Sequence, residues 1–511
     1  MVTLAAVGMV ALFAACSGAK GEEDALRVAV PAGPVTLDPR LASDAVGDKI
    51  SHLICDGLFK LNRKLELVPN LATRYERLSD TSYRFFLRPD VKFHDGSEFT
   101  AKDVAYTYRS IIGGKIASPF SSAFGRIQKI SIESPLVVRI DLKEPYAPFL
   151  TILTRGIVPR GAAERMGSAF ATAPVGTGPY RFVRFVPDSV VELAANSQYA
   201  GMIPKTQRLV FEVIKDDNIR VLKLMKGDID LVQNAVPPLL INRLVSRPNL
   251  AKEEGTGIVM AYMGFNLEDP VLKRRGVRQA IAYAIDRDEI IAHRWRGMAV
   301  KANSILAPSN WAYDHKLWQY PYDPEKAMRL LDEEGFTDPD GKGPAMRFEI
   351  ALKTSTVKSR IDIVRMIAHQ LAKVGIGVRV EPYEWGTFYR DVRRGNFQAY
   401  TLSWVGVTDP DIFYDVCHSS QFPPDGLNRG RYRNPQIDKL VQEGRVTMDR
   451  NKRRVIYNKV QRILLEDLPY IPLWYEKNVA VYNKDLKGVS VRPNASYRTF
   501  VDIEKKIGST K

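Results

Sequence analysis

The sequence predicts an α/β or α+β protein built from several lobes. Three observations carry that expectation: helical and strand periodicities alternate along most of the chain, a compact β-α-β unit lies near its middle, and an α-β-α-β run fills its second half. At 511 residues the chain has the length of two or three domains. Its 45% hydrophobic and 26% charged content is ordinary for a globular protein and excludes a polytopic membrane protein, a disordered chain and a collagen. With three cysteines, a disulfide scaffold is excluded as well.

The elements follow in order. Residues 26–30 alternate as a strand until Pro31, Gly33 and Pro34 break it. Residues 83–88 read as another strand, followed by Pro89-Asp90 and a turn at Asp95-Gly96. Thr100 supplies an N-cap hydroxyl and Asp103 an acid three residues on, so a helix opens there. Gly176-Thr177-Gly178-Pro179 interrupts the chain before strands at 180–185 and 190–193. Strand 209–214, helix 219–225 and strand 229–232 make the β-α-β unit, whose helix is too short for a dinucleotide-type crossover and lacks its glycine loop. In the second half, 277–291 reads as one nearly all-apolar, buried helix. Asp323-Pro324 has the N-cap and N1 chemistry of a helix that reaches Leu331 and stops at Gly335. Ile363, Ile367, Leu371 and Val374 recur at helical spacing with Gly375 as the stop, and Ile376, Val378 and Val380 then alternate as a strand. Helix 386–394 and strand 397–404 complete the run. No internal repeat or low-complexity stretch interrupts it.

The N-terminus bears on compartment. Residues 1–19 carry no charge, have an apolar centre and end in Ala14-Ala15-Cys16-Ser17-Gly18, so they resemble a bacterial lipoprotein signal with Cys16 as the lipidated first residue of the mature protein. Phe13 stands where Leu is usual. No Lys or Arg precedes the apolar run, which points to a start codon upstream. The competing reading is an uncleaved anchor helix, but nineteen residues fall just short of the ~20 that span a bilayer. Cys55 and Cys417 are either two buried free thiols or a disulfide formed after export, and their spacing does not decide between them.

Catalytic chemistry is absent from the sequence. There is no G-x-S-x-G elbow. Residues 335–342 resemble a phosphate loop, but the spacing is one too long and Gly343 replaces the magnesium-binding hydroxyl. The six histidines stand singly, without metal-ligand spacing, and no cofactor is expected. The acidic pairs Asp216-Asp217 and Glu333-Glu334 read as solvated faces. So do the basic clusters Lys273-Arg274-Arg275 and Arg453-Arg454, which lack the aromatics of a base-stacking surface.

An ordered series of short motifs remains. It runs Leu37-Asp38-Pro39; Asp56-Gly57-Leu58; Phe85-Phe86-Leu87-Arg88-Pro89 with Val91-Lys92-Phe93-His94-Asp95-Gly96; Thr100-Ala101-Lys102-Asp103-Val104; Pro145-Tyr146-Ala147-Pro148-Phe149; Gly176-Thr177-Gly178-Pro179-Tyr180; Gly227-Asp228-Ile229-Asp230; Gly264-Phe265-Asn266; Val277-Arg278-Gln279-Ala280-Ile281 with Ala284-Ile285-Asp286-Arg287; and Asp467-Leu468-Pro469-Tyr470-Ile471-Pro472. Each is weak alone, but ten in this order are specific. From about Leu26 to Lys505 the chain resembles the family 5 extracellular solute-binding proteins of ABC transporters, the group of the dipeptide-, oligopeptide- and nickel-binding proteins.

The resemblance implies a bilobed periplasmic-binding-protein fold (type II, cluster C-like) with an extra inserted domain. Mapped here, 1–15 is the signal and 16–23 a tether. The first lobe is 24–42, 170–260 and 482–511, the extra domain 43–169 and the second lobe 261–481. It also implies a monomeric, non-enzymatic receptor, lipid-anchored at the extracytoplasmic face. Such a receptor captures peptides or peptide-like solutes between its lobes and hands them to an ABC permease. Carried over residue by residue, Ser43 and Ala45 make main-chain contacts to an extended ligand, Asn234 is a polar and Phe120 an aromatic pocket position, and Trp404 begins the second-lobe ligand segment. Peptide binders usually place an ammonium-pairing Asp three residues past this Trp, where this chain has Val407. Either Asp409 supplies that carboxylate from a shifted loop, or it only caps the turn at Pro410 and the ligand lacks a free amine. Arg429 and Arg431 are expected at the surface; facing the cleft, they would favour carboxylate-bearing ligands. Two other readings stand beside this one. The same fold can serve a nickel chelate, haem, an opine or an oligosaccharide. A membrane-anchored hydrolase or chaperone-like protein would need a nucleophile motif or turnover.

The charge fits last. The 74 Lys and Arg against 58 Asp and Glu give +16, all of it after Cys16. An exported chain does not meet nucleic acid, so the excess reads as a basic face against anionic lipid or as a cleft biased towards acidic solutes.

Overall fold

The computed structural model describes residues 25–341, 343–424 and 426–505, so the apolar N-terminal segment with Cys16 lies outside the described residues, as does Lys342 of the phosphate-loop-like stretch. Among the described residues, one mixed sheet of eleven strands runs through the molecule. Its order is Ile376–Tyr383, Phe348–Ser355, Ala399–Trp404, Leu250–Phe265, Tyr470–Asn483, Leu231–Gln233, Ala25–Val30, Arg208–Val213, Val190–Ala195 and Tyr180–Val186, with Ala299–Lys301 added against Tyr470–Asn483.

Each half of this sheet has a parallel set, and parallel strands need crossovers. In one half Ala25–Val30, buried except at Arg27, pairs in parallel with Arg208–Val213 and Leu231–Gln233. The helix Asp217–Lys226 makes the connection; Asp216 caps its start, and Gly227 at φ 85° ends it in the left-handed region. In the other half Phe348–Ser355 pairs in parallel with Ile376–Tyr383 and Ala399–Trp404, joined by the helices Lys358–Ala372 and Trp385–Arg394.

Two long antiparallel strands, Leu250–Phe265 and Tyr470–Asn483, join the halves, and their register shifts between Thr256 and Met260. On one side of that irregularity Leu250, Val479 and Val481 pack with Ala29, Leu224 and Val232. On the other, Met263, Leu473 and Trp474 pack with Val277, Ile281 and Ile367. The sheet is therefore continuous while its apolar cores are not.

A separate antiparallel sheet, ordered Ala72–Ser79, Ser82–Leu87, Val137–Leu142, Ile127–Ser134, packs with the helix Ala101–Ile112 around Phe85, Tyr108 and Phe149. That helix opens on the expected capping box, with the Thr100 N–H donating to Asp103 Oδ2 at 2.9 Å. The helix Ala45–Ile54 joins a different core, packing Ile50, Leu53 and Ile54 with Leu26, Val28 and Phe211.

Two sequence expectations are corrected. The apolar stretch 277–291 is not one helix: Arg275–Ala284 ends at an extended Ile285, and Asp286 caps a new turn by accepting from Glu289 N at 2.9 Å. An Asx cap competes successfully with helix continuation there. Arg453 is not on a solvated face but buried. Cys55 and Cys417 are free, buried thiols.

Candidate functional site

A cleft of about 540 Å³ lies where these cores meet, within the range of roughly 300–1,000 Å³ that small-molecule sites occupy. One wall begins at Leu37-Asp38-Pro39. Buried Asp38 holds the Arg40 guanidinium at 2.7 Å, and its carbonyl takes the N–H groups of Leu41 and Ala42. The chain then turns so that Ser43 and Ala45 reach the cleft, both exposed, with Asp44 between them capping the helix through Gly47 N at 2.7 Å. Ser43 makes no hydrogen bond among the described residues. The same turn positions Phe120: the Arg40 carbonyl accepts from Ser118 Oγ at 2.7 Å, and that hydroxyl accepts from Phe120 N at 3.2 Å. Phe120 lines the cleft with the Arg155 guanidinium 3.8 Å above its ring.

Asn234 lines the cleft at the end of its strand, exposed and with φ +58°. Its amide is engaged: Nδ2 donates to Asn478 Oδ1 and Oδ1 accepts from Val479 N, both at 2.8 Å. It therefore ties one half of the sheet to a strand that crosses to the other.

The opposite wall is Val405, Gly406 and Thr408. The structure does not bring Trp404 to the cleft surface. Its ring stacks on Tyr262 at 5.7 Å and 6°, with Arg429 4.8 Å from its centre. Strand geometry accounts for this, because Trp404 is the last paired residue of its strand and the chain leaves the sheet only at Val405. Val407, at the position of the expected ammonium partner, is buried at 6% exposure. Asp409 is not in the cleft lining: it pairs with buried Arg453 at 2.9 Å and accepts from Asp411 N at 2.9 Å. Neither Arg429 nor Arg431 lines the cleft. Arg429 is buried, donating to the Tyr262 hydroxyl at 2.9 Å, and Arg431 pairs with Glu268 at 3.3 Å. A second space of about 220 Å³, lined by Thr354, Ser355, Trp385 and Ser403, adjoins the first at Val405.

Sequence reasoning offered a basic cleft as one reading of the net charge but missed the residues that make it. Among the described residues Lys49, Lys60, Arg155, Arg492 and Arg498 line it, against one carboxylate, Asp48. Arg155 pairs with Asp48 at 2.6 Å, and Arg498 pairs with buried Asp56. These residues come from three separated segments, so the only signal available beforehand was the global +16. Among the described residues no group of His, Cys, Asp and Glu has the arrangement of a metal site, and no helix is long and apolar enough to cross a membrane.

The geometry can be set beside known proteins. The family model described as bacterial extracellular solute-binding proteins, family 5 Middle, matches residues 66–422. The dipeptide-binding protein of Escherichia coli (strain K12) is 29% identical over 462 residues, covering 84% of each chain. Among solved structures, NikZ from Campylobacter jejuni in complex with Ni(L-His) superposes with a TM-score of 0.79 at 28% identity, covering 94% of this chain and 100% of that one. The oligopeptide-binding protein AppA from Bacillus subtilis, in complex with a nonapeptide, gives 0.78 at 26%, covering 94% and 98%. The mixed sheet with its two flanking cores is thus the bilobed periplasmic-binding-protein fold expected from the sequence.

Proposed function

This chain belongs to the bacterial extracellular solute-binding proteins of family 5, and from that premise we propose that it is a receptor that captures short peptides or peptide-like solutes between its lobes for an ABC importer. The observation that carries this reading is the cleft itself. One wall offers exposed Ser43 and Ala45, small residues that leave room for strand-like pairing with a peptide backbone, and the facing wall is the small, uncharged Val405-Gly406 segment. Contacts made to both walls at once favour the closed arrangement, and that population shift is what a permease would read. Binding of this kind needs no nucleophile and no cofactor.

We place the change of lobe at the register shift between Thr256 and Met260, opposite 475–477 on the second crossing strand. The core of the extra domain would run from Leu58 to Ile157, with the helix Ala45–Ile54 kept by the first lobe. Ser43, Ala45, Phe120 and Asn234 are the proposed ligand contacts, Trp404 a support behind the second wall, and Asp409 a structural anchor. Attachment to the extracytoplasmic face through a lipid on Cys16 completes the proposal. It rests on the small-residue and apolar pattern of 1–19.

The test is to purify the chain without residues 1–15, denature it and identify the small molecules released by mass spectrometry, alongside a thermal-shift screen of di- to hexapeptides. A peptide present at 100 times its Kd would stabilise the protein by about 2.7 kcal/mol. Recovery of a metal chelate or other non-peptide ligand alone, with no peptide raising the melting temperature, would overturn the peptide reading. The likeness to NikZ makes a chelate the specific alternative.

A further inference from the structure

Three of the five cations in the cleft have no carboxylate partner among the described residues. Asp48 is taken by Arg155 and Asp56 by Arg498, which leaves Lys49, Lys60 and Arg492. Each is half-buried. Lys49 lies 5.3 Å from the Tyr497 ring centre. Arg492 donates from Nη1 to the Leu61 carbonyl at 3.3 Å, while its Nε is buried without a partner. The backbone delivers them to the lining of one cleft from unrelated places: Lys49 from the helix Ala45–Ile54, Lys60 from the strand Phe59–Leu61, and Arg492 from the segment after the last crossing strand.

Like charges gathered in one half-buried cleft raise the free energy of the empty protein, and a bound anion relieves that cost. The direction of titration agrees. Burial, and then the neighbouring Arg498, holds the Lys60 ammonium below its ordinary range, with Arg88 and Arg492 adding to it and Asp56 opposing. Burial, Arg498 and Arg63 depress Arg492, with Asp502 opposing. Burial depresses Lys49 against the opposing pull of Asp48.

The facing wall completes the pattern. Val405, Gly406 and Thr408 carry no charge, Val407 is buried, and Asp409 is committed to Arg453. Among the described residues that line the cleft, no uncommitted carboxylate awaits an ammonium group.

We infer that the cleft selects a solute with two or more carboxylates and no requirement for a free amino terminus, an acidic peptide, with Lys49, Lys60 and Arg492 forming its anion subsite. This rests on the peptide reading above and narrows it. It also gives the +16 a local meaning, as part of the excess is concentrated where ligand binds.

Titration calorimetry on the full mature chain at low salt tests it with four probes: Ala-Glu-Glu, its N-acetyl derivative, Ala-Ala-Ala and citrate. Ala-Glu-Glu is expected to bind at least tenfold more tightly than Ala-Ala-Ala and to weaken steeply as salt rises. Its N-acetyl derivative should match it within threefold. Lys60→Gln and Arg492→Gln should each narrow the preference for Ala-Glu-Glu over Ala-Ala-Ala at least threefold. Because the wild-type comparison stands alone, a variant that fails to fold does not remove the test. Equal or tighter binding of Ala-Ala-Ala overturns the anion subsite and leaves the peptide reading intact. Binding of citrate with no peptide bound keeps the subsite and overturns the peptide reading. Failure of all four probes overturns both.

Discussion

Replacing Asp409 by Asn separates a ligand carboxylate from a structural one. The substitution keeps the shape of the side chain and an oxygen able to accept from Asp411 N, but it removes the charge opposite Arg453. The Arg453 side chain is 6% exposed; its Nε donates to the Gly444 carbonyl at 2.9 Å, and its guanidinium lies 5.4 Å from the Trp311 ring centre. Burial is the largest influence and works against its charge, but Asp409 and Tyr457 together outweigh it and keep Arg453 a cation. Breaking a buried ion pair by removing one partner costs about 3–5 kcal/mol. Asp409 is itself 16% exposed, so solvent recovers part of that cost, and the low end, about 3 kcal/mol, is the working figure. With an unfolding entropy of about 2.1 cal/mol/K per residue, a cooperative unit of this size has roughly 1 kcal/mol/K, so the melting temperature should fall by about 3 °C.

The assay pairs differential scanning fluorimetry of the empty protein with calorimetric titration of the tightest peptide from the di- to hexapeptide screen. The expected result is a lowered melting temperature with peptide affinity unchanged within twofold. Arg453→Met should be destabilised similarly, and the double substitution should lose less than the sum, because the partner left behind carries the penalty. An unchanged melting temperature with a tenfold or greater loss of peptide affinity would refute this reasoning and return Asp409 to the ligand.

Three further predictions concern the scaffold. Thr100→Ala removes the N-cap of Ala101–Ile112 and should cost about 0.5–2 kcal/mol; amide exchange should quicken in that helix, and unchanged exchange would contradict the cap. Gly176→Ala places a Cβ 2.1 Å from the Ile54 carbonyl oxygen and should lower the melting temperature or abolish soluble expression, whereas Gly161→Ala, with open space around its Cβ, should be neutral. His94 accepts at Nδ1 from Gly176 N at 3.3 Å and approaches the Gly178 carbonyl with Nε2 at 3.0 Å, and burial, against that last bond, holds its pKa below the ordinary 6.5. The unfolded chain therefore takes up the proton first as pH falls. The stabilisation is complete above about 6.5 and declines below it. His94→Gln should flatten the dependence of melting temperature on pH between about 7.5 and 5.5, and parallel curves for variant and wild type would refute the assignment.

Most of the architecture was legible because its signals are local. A capping box needs only Thr100 and Asp103, three residues apart, and the strand Ala25–Val30 announces itself by composition and the prolines that follow. Where locality misled, a tertiary competitor won. Residues 277–291 have helical spacing throughout, but Asp286 finds its own backbone N–H partner and divides them. Arg453 reads as half of a basic surface pair until Asp409, 44 residues earlier, meets it in the interior. Trp404 has the right position along the chain for a ligand contact, yet the strand ends one residue too late and turns its ring onto Tyr262.

The cleft was the least legible part, and the reason is specific. Whether a lysine is paired depends on which acid the fold delivers to it, and here the two acids nearest the cleft are both delivered to arginines. Asp48 and Lys49 are neighbours in sequence, but helix geometry sends Asp48 to Arg155, from a segment 107 residues away, and leaves Lys49 facing the cleft. Asp56 is closer in sequence to Lys60 than to Arg498, yet it pairs with the arginine 442 residues on. A net charge counts both acids as neutralising; the fold spends them on positioning the walls, and the uncompensated remainder lies where a ligand must bind.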